Sequence, residues 1–104
     1  MPSPATTPQP PYYAVIFTSV RTDSDNGYGE IAKHMVKLAA EQPGFLGIES
    51  ARQEIGITVS YWSSPEAIKA WKENLDHRHA QSRAGDWYTK FRVRICRVER
   101  EYGF

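Results

Sequence analysis

Proton transfer near neutral pH falls most readily to histidine, whose charge changes between about pH 5 and 8. The chain of 104 residues has three: His34, His77 and His79. His77 and His79 are two apart, whereas two ligands on one helical face need an i, i+4 spacing, so the pair does not read as a zinc site. His34 falls on the polar side of a helical pattern beside Lys33 and Lys37 and reads as solvated. His77 is left as the candidate proton carrier; the structural alternative is a buried histidine satisfied by a backbone carbonyl, Tyr or Ser. Trp62 and Trp71 can wall a pocket for a flat aromatic molecule or fill a core. Arg92 and Arg94 recur at period two on one strand face. They suit an anionic substrate, or pairing across an interface with Glu49 or Glu99. Cys96 has no histidine near it in sequence to activate its thiol. No P-loop, G-x-G-x-x-G or G-x-S-x-G segment occurs, so nucleotide and serine-hydrolase chemistry find no motif here.

These side chains need elements to hold them. Tyr12 to Val20 is aromatic and β-branched and predicts a strand. Both of its faces are mostly apolar, as in a strand covered on each side. Thr22-Asp23-Ser24-Asp25-Asn26 offers helix N-caps. Tyr28, Ile31, Met35 and Leu38, with Ala32 and Ala39, then form an amphipathic stripe that Pro43-Gly44 ends. Phe45 to Gln53 and Ile57 to Trp62 predict a hairpin around Glu54-Ile55-Gly56. Ser63-Ser64-Pro65-Glu66 opens a second helix with the apolar stripe Ile68, Trp71 and Leu75. Phe91 to Val98 is a closing strand, with Phe91, Val93 and Ile95 on one face and Arg92, Arg94, Cys96 and Val98 on the other. The order is β-α-β-β-α-β, an α+β ferredoxin-like fold with a four-stranded antiparallel sheet.

The direction of His77 depends on where the second helix breaks. In one helix from Ser64 to Tyr88, His79 joins the Ile68 stripe and His77 points away. A break near Leu75-Asp76, with Asp76 capping a restart, aligns His77 with Ala80, Ala84 and Trp87 or Tyr88 and turns it inward. The apolar signal ends at Leu75, which favours the break.

Five of the seven prolines lie in residues 1–11. That composition predicts a disordered, proline-rich arm and leaves residues 12–104 as the domain. A domain of this size buries only about 60–65% of its unfolded surface, so a separate dinucleotide-binding half is excluded. Net charge is +1, spread as −2 over residues 1–62 and +3 over residues 63–104. No acidic or basic excess names a nucleic-acid partner. A single cysteine and the lack of a long apolar run or signal-like leader predict a cytoplasmic protein with no membrane association. Two helices cover only one face of four strands. The open face keeps an apolar alternate set, which predicts a homodimer through it.

The motifs Pro43-Gly44-Phe45-Leu46-Gly47, Gly56-Ile57-Thr58-Val59-Ser60-Tyr61-Trp62, Glu66-Ala67-Ile68-Lys69-Ala70-Trp71-Lys72, His77 with Gln81, Trp87-Tyr88 and the ending Arg92 to Gly103 share their order and spacing with a known family. Together they resemble the antibiotic biosynthesis monooxygenase (ABM) superfamily over roughly Tyr13 to Phe104. The resemblance implies a dimeric α+β barrel and cofactor-independent oxygenation of an aromatic or quinol-like small molecule. It implies no cofactor and no metal, with His77 as the proton shuttle. Trp62 matches a strand-end tryptophan near substrate in pigment-modifying relatives, with Trp71 completing the wall, and Arg83 approximates a helix-2 arginine that steadies an anion.

Haem-degrading members pair a strand-1 asparagine with a histidine and a more widely spaced tryptophan on helix 2. Here Tyr12 to Val20 has no asparagine, and Trp71 stands six residues from His77. A non-catalytic dimeric small-molecule binder of the same fold is the other alternative. An RNA-recognition module shares the topology, but Gly56 to Trp62 lacks its basic G-F/Y-G/A-F pattern.

Overall fold

The most β-prone run of the chain becomes a central strand, as its two apolar faces require. The computed structural model of the chain describes residues 3–23, 27–77 and 84–104. The element order is β1 (Tyr12–Arg21), α1 (Tyr28–Ala40), β2 (Phe45–Arg52), β3 (Gly56–Trp62), α2 (Pro65–His77), the short α3 (Ala84–Trp87) and β4 (Tyr88–Val98). The strands form one antiparallel sheet in the order β2-β3-β1-β4. This is the expected ferredoxin-like topology. Gln53 N–H donates to the Ile55 carbonyl at 3.2 Å and closes the predicted hairpin.

Two local expectations differ from what forms. The N-cap of α1 is Gly27, at φ 83° and with no side-chain cap bond of its own, rather than a residue of the polar cluster before it, of which 24–26 lie outside the described residues. A glycine serves because the chain enters α1 through the left-handed region, which costs most residues about 1–2 kcal/mol. Further on, α2 runs unbroken through Leu75 and Asp76 to His77. The restart expected at Asp76 is therefore absent, and a separate helix begins at Ala84. Backbone hydrogen bonding carries α2 past its last apolar stripe residue, because polar residues sustain a helix without an apolar contact. The start of α2 follows its signals: Ala67 N–H donates to Ser64 Oγ at 3.1 Å.

Register assigns the faces, since paired residues project to the same side and neighbours alternate. Tyr13 pairs with Trp62, Ser19 with Gly56, and on the other side Ser19 pairs with Phe91. The helices pack on the face holding Tyr13, Val15 and Trp62, where Ala39, Ile68 and Trp62 form the core with Phe45, Ala67 and Trp71 around them. On β4 the same face is left open: Phe91, Val93 and Ile95 are 53%, 48% and 60% exposed. The helix-free face carries Ile16, Ile57, Val59 and Tyr61, with Arg92, Arg94 and Cys96 along β4.

The described part of the proline-rich arm has no helix or strand, but it makes specific contacts. Ala5 N–H donates to Glu49 Oε2 at 3.0 Å. Thr7 Oγ1 lies 2.8 Å from the Tyr12 hydroxyl and 3.1 Å from Glu101 Oε2. Tyr12 donates to the same Glu101 oxygen at 3.0 Å. The arm thus lies over one end of the helix-free face, and Tyr12 is 4% exposed although no helix covers that side.

Candidate functional site

Under the helices, at the Tyr13 end of the sheet, Trp62 is completely enclosed. Its indole N–H donates to Ser60 Oγ at 2.9 Å, so the one polar atom of the ring is satisfied. Trp71 of α2 stacks on it at 6.1 Å between centroids and 25° between planes, and Phe45 meets it edge-on at 5.5 Å. The two tryptophans named from sequence are therefore brought together. Trp71 is only partly buried, so it presents the accessible ring of the stack and Trp62 backs it. His77 is the last residue of α2, on the same helix as Trp71. Its side chain, and Arg83 as a whole, lie outside the described residues.

At the other end of the same face is a second constellation, which the sequence reading did not single out. The Arg52 side chain leaves β2, crosses Gly56 and donates to Ser19 Oγ at 2.5 Å and to the Ser19 carbonyl at 3.4 Å. Gly56 is required there, because a Cβ on it would stand inside the guanidinium. Ser19 is only 2% exposed, so this bond satisfies a buried hydroxyl. Arg21 donates through Nε to the Trp87 carbonyl at 2.9 Å and holds its guanidinium 3.5 Å over the Tyr28 ring. Such a cation–π contact is worth about 0.5–2 kcal/mol, depending on burial.

Tyr28, Trp87, Tyr88, Phe17 and Phe91 build the aromatic part. Tyr28 meets Tyr88 edge-on at 5.6 Å and Trp87 at 6.3 Å; Phe17 meets Tyr88 at 5.3 Å and Phe91 at 5.7 Å. Burial first, and then its hydrogen bond with Tyr28, push the Tyr88 hydroxyl well above the ordinary phenol range. The charges of Arg52 and Arg21 pull the other way, which places both within electrostatic reach of Tyr88. Two signals in the sequence pointed here: a serine on an otherwise apolar strand face, and an arginine set across a hairpin from a glycine.

On the helix-free face, Tyr61 donates to Glu49. That bond first, and then the Ala5 N–H, lower the Glu49 pKa. Burial first, and then Glu49, push Tyr61 up to about 12. Cys96 is free and exposed. Among the described residues no group of three or more His, Cys, Asp or Glu could hold a metal ion. No helix among them is long and apolar enough to cross a membrane.

A single antiparallel sheet backed by helices, with an aromatic stack at one end of the covered face and guanidinium and phenol groups at the other, defines an α+β ferredoxin-like domain. The family model described as antibiotic biosynthesis monooxygenase matches residues 11–83. The chain belongs to that family. A Bacillus subtilis (strain 168) protein, YqjZ, described as uncharacterized, is 52% identical over 98 residues, covering 91% of this chain and 86% of its own. SnoaB from Streptomyces nogalater, described as a cofactor-independent oxygenase, superposes with a TM-score of 0.68 at 8% identity, over 90% of this chain and 97% of that one. Protein SO0527 from Shewanella oneidensis gives a TM-score of 0.71 at 9% identity, over 91% and 97%. At such identities the two structures speak for the fold alone.

Proposed function

We propose that this protein is a cofactor-independent monooxygenase of an aromatic or quinol-like small molecule. The observation that carries the reading is the Trp71 ring, partly accessible and stacked on an enclosed Trp62, in a chain of the antibiotic biosynthesis monooxygenase family. A stacked indole offers a flat face to a fused-ring substrate. His77 takes the proton from an acidified ring carbon or hydroxyl, and Arg83 steadies the anion that results. The electron-rich carbon then bonds to dioxygen. The peroxide takes the returned proton, and the O–O bond breaks as the same carbon loses its remaining hydrogen: one oxygen stays as a carbonyl, and the other leaves as water carrying both protons. The substrate supplies every electron that dioxygen accepts, so neither flavin nor metal is consumed.

Oxygen uptake by flavin-free, chelator-treated protein on anthrone-type and naphthohydroquinone substrates tests this. The expected result is one dioxygen per substrate, with a rate lowered about 10²–10⁴-fold in His77→Ala. Binding of the same panel without uptake would instead make the protein a small-molecule binder.

The functional unit in this reading is a homodimer closed through the helix-free sheet face. Ile16, Ile57 and Val59 supply its apolar centre; Ile57 is 45% exposed in the single chain. Glu49 lies on the β2 edge and Arg92 and Arg94 on the β4 edge of that face. A two-fold axis along the strands lays each β2 edge over the partner's β4 edge and brings opposite charges together.

A further inference from the structure

We propose that Arg52, fixed over Gly56 by Ser19 and in one cross-strand row with the exposed ring of Phe91, forms an anion-recognition subsite, and that the molecule it selects is a flat aromatic bearing one anionic oxygen group. The inference rests on the reading of the chain as a binder of aromatic molecules, not on oxygenation.

The sheet register makes the placement. Arg52, Gly56, Ser19 and Phe91 form one row across β2, β3, β1 and β4 on the helix-side face. Arg52 spans Gly56 to reach Ser19, and the next residue in the row is Phe91, one strand spacing of about 4.8 Å further on. The guanidinium, over Gly56, is thus two strand spacings, about 10 Å, from Phe91 along that row, and the Phe91 ring is 53% exposed. Val93 and Ile95 continue the apolar surface along β4. Among the described residues no carboxylate pairs with Arg52; its bonds go to a neutral hydroxyl and a carbonyl.

The guanidinium is also held in place rather than waving in solvent. Gly56 leaves the channel it occupies, and the buried Ser19 hydroxyl anchors one nitrogen. An arginine has donors on several nitrogens, so a ligand oxygen takes those that Ser19 does not use. Tyr88 and Phe17 back Phe91 with their own rings, which gives the ligand's ring a rigid floor. An apolar floor beside a fixed planar cation fits a carboxylate or phenolate on a fused ring better than a neutral quinone or an aliphatic acid. The former lacks the charge and the latter lacks the ring.

The test compares 2-naphthoate with its neutral analogue 2-naphthalenemethanol by titration calorimetry on the full chain at low salt. The wild type is expected to favour naphthoate by about tenfold, the ratio that one charge-assisted hydrogen bond supplies. Arg52→Gln should bring the two within about threefold while leaving the neutral probe's affinity unchanged. Gly56→Ala, which keeps the charge but evicts the guanidinium, should erase the preference equally and serves if Arg52→Gln does not fold. Equal affinities in the wild type, a preference that survives both variants, or failure of naphthoate to bind overturns the subsite. A preference for naphthoate with no oxygen uptake on any substrate keeps the subsite and removes the oxygenase reading; uptake without that preference does the reverse.

Discussion

Replacing Gly56 with alanine should destabilise the fold, and only because Arg52 is there. A Cβ at position 56 falls within the Arg52 guanidinium and meets no other group as closely. The flexible end of a side chain yields before backbone does, so Arg52 swings out and its bonds to Ser19 are lost. Ser19 is 2% exposed, which leaves a buried hydroxyl to find another partner. Losing a hydrogen bond from a charged donor to a buried acceptor costs about 1.5–3 kcal/mol. The exposure of Arg52 discounts this to about 1–2 kcal/mol. For a domain of this length that is a fall in Tm of roughly 5–10 °C. The assay is thermal and urea unfolding of four proteins: wild type, Gly56→Ala, Arg52→Ala and the double variant. Gly56→Ala should cost about 1–2 kcal/mol in the wild type and within about 0.5 kcal/mol of nothing in the Arg52→Ala background. An equal cost in both backgrounds would mean that the glycine serves the backbone, and the channel argument would be refuted.

Gly44 and Gly27 have nearly the same left-handed φ, 84° and 83°, but different room. A Cβ on Gly44 meets Ala67 Cβ at 2.6 Å and Ser63 Oγ at 2.8 Å, while one on Gly27 meets nothing. Gly27→Ala should therefore cost about 1 kcal/mol and Gly44→Ala about 2–4 kcal/mol, read from urea midpoints. Trp62→Ala empties a fully enclosed site and should cost about 3–5 kcal/mol or prevent folding. The Glu49 carboxyl is lowered by Tyr61 and by the arm's Ala5 N–H. Its contribution is therefore full above the ordinary carboxylate pKa and lost as pH falls through the depressed folded value. The Ala5 amide resonance should shift on acidification in the wild type and stay still in Glu49→Gln. The same variant should bring Tyr61 down from about 12 only part of the way, because burial is the larger cause.

The elements were legible where a pattern and its terminators agreed. A run of aromatic and β-branched residues placed β1, the serine cap and Pro65 placed α2, and Glu54-Ile55-Gly56 marked the hairpin. The end of α2 was not legible, because apolar periodicity reports where a helix touches a core and says nothing of how far the backbone continues past that contact. Trp62 and Trp71 were legible as a pair through a strand-end position and a helical stripe. The Arg52 constellation was hidden for a different reason. Its bonded partner lies 33 residues away at Ser19, and only the register of four strands brings Arg52, Gly56, Ser19 and Phe91 into one row. Local pattern sees the glycine opposite the arginine but not what the arginine reaches.

The uneven charge of the chain gains a spatial meaning from the strand order. Residues 1–62 carry the net −2 and include β2, while residues 63–104 carry the net +3 and include β4. These strands are the two edges of the sheet. On the helix-free face Glu49 lies at the β2 edge and Arg92 and Arg94 at the β4 edge. A two-fold partner meets that gradient reversed, so the same charges that repel in a parallel stacking attract in this one. In the proposed dimer the apolar strip between them would supply most of the association, since exposed ion pairs contribute only about 0.2–1 kcal/mol each. Val59→Asp, which puts a charge in the middle of the strip, should therefore abolish the dimer in sedimentation equilibrium. Arg94→Glu should only weaken it, more so at low salt than at high salt. A wild-type mass of one chain at all concentrations would refute the dimer, and a dimer that tolerates Val59→Asp would place the partner surface elsewhere, with the exposed Phe91-Val93-Ile95 side of β4 the next to examine.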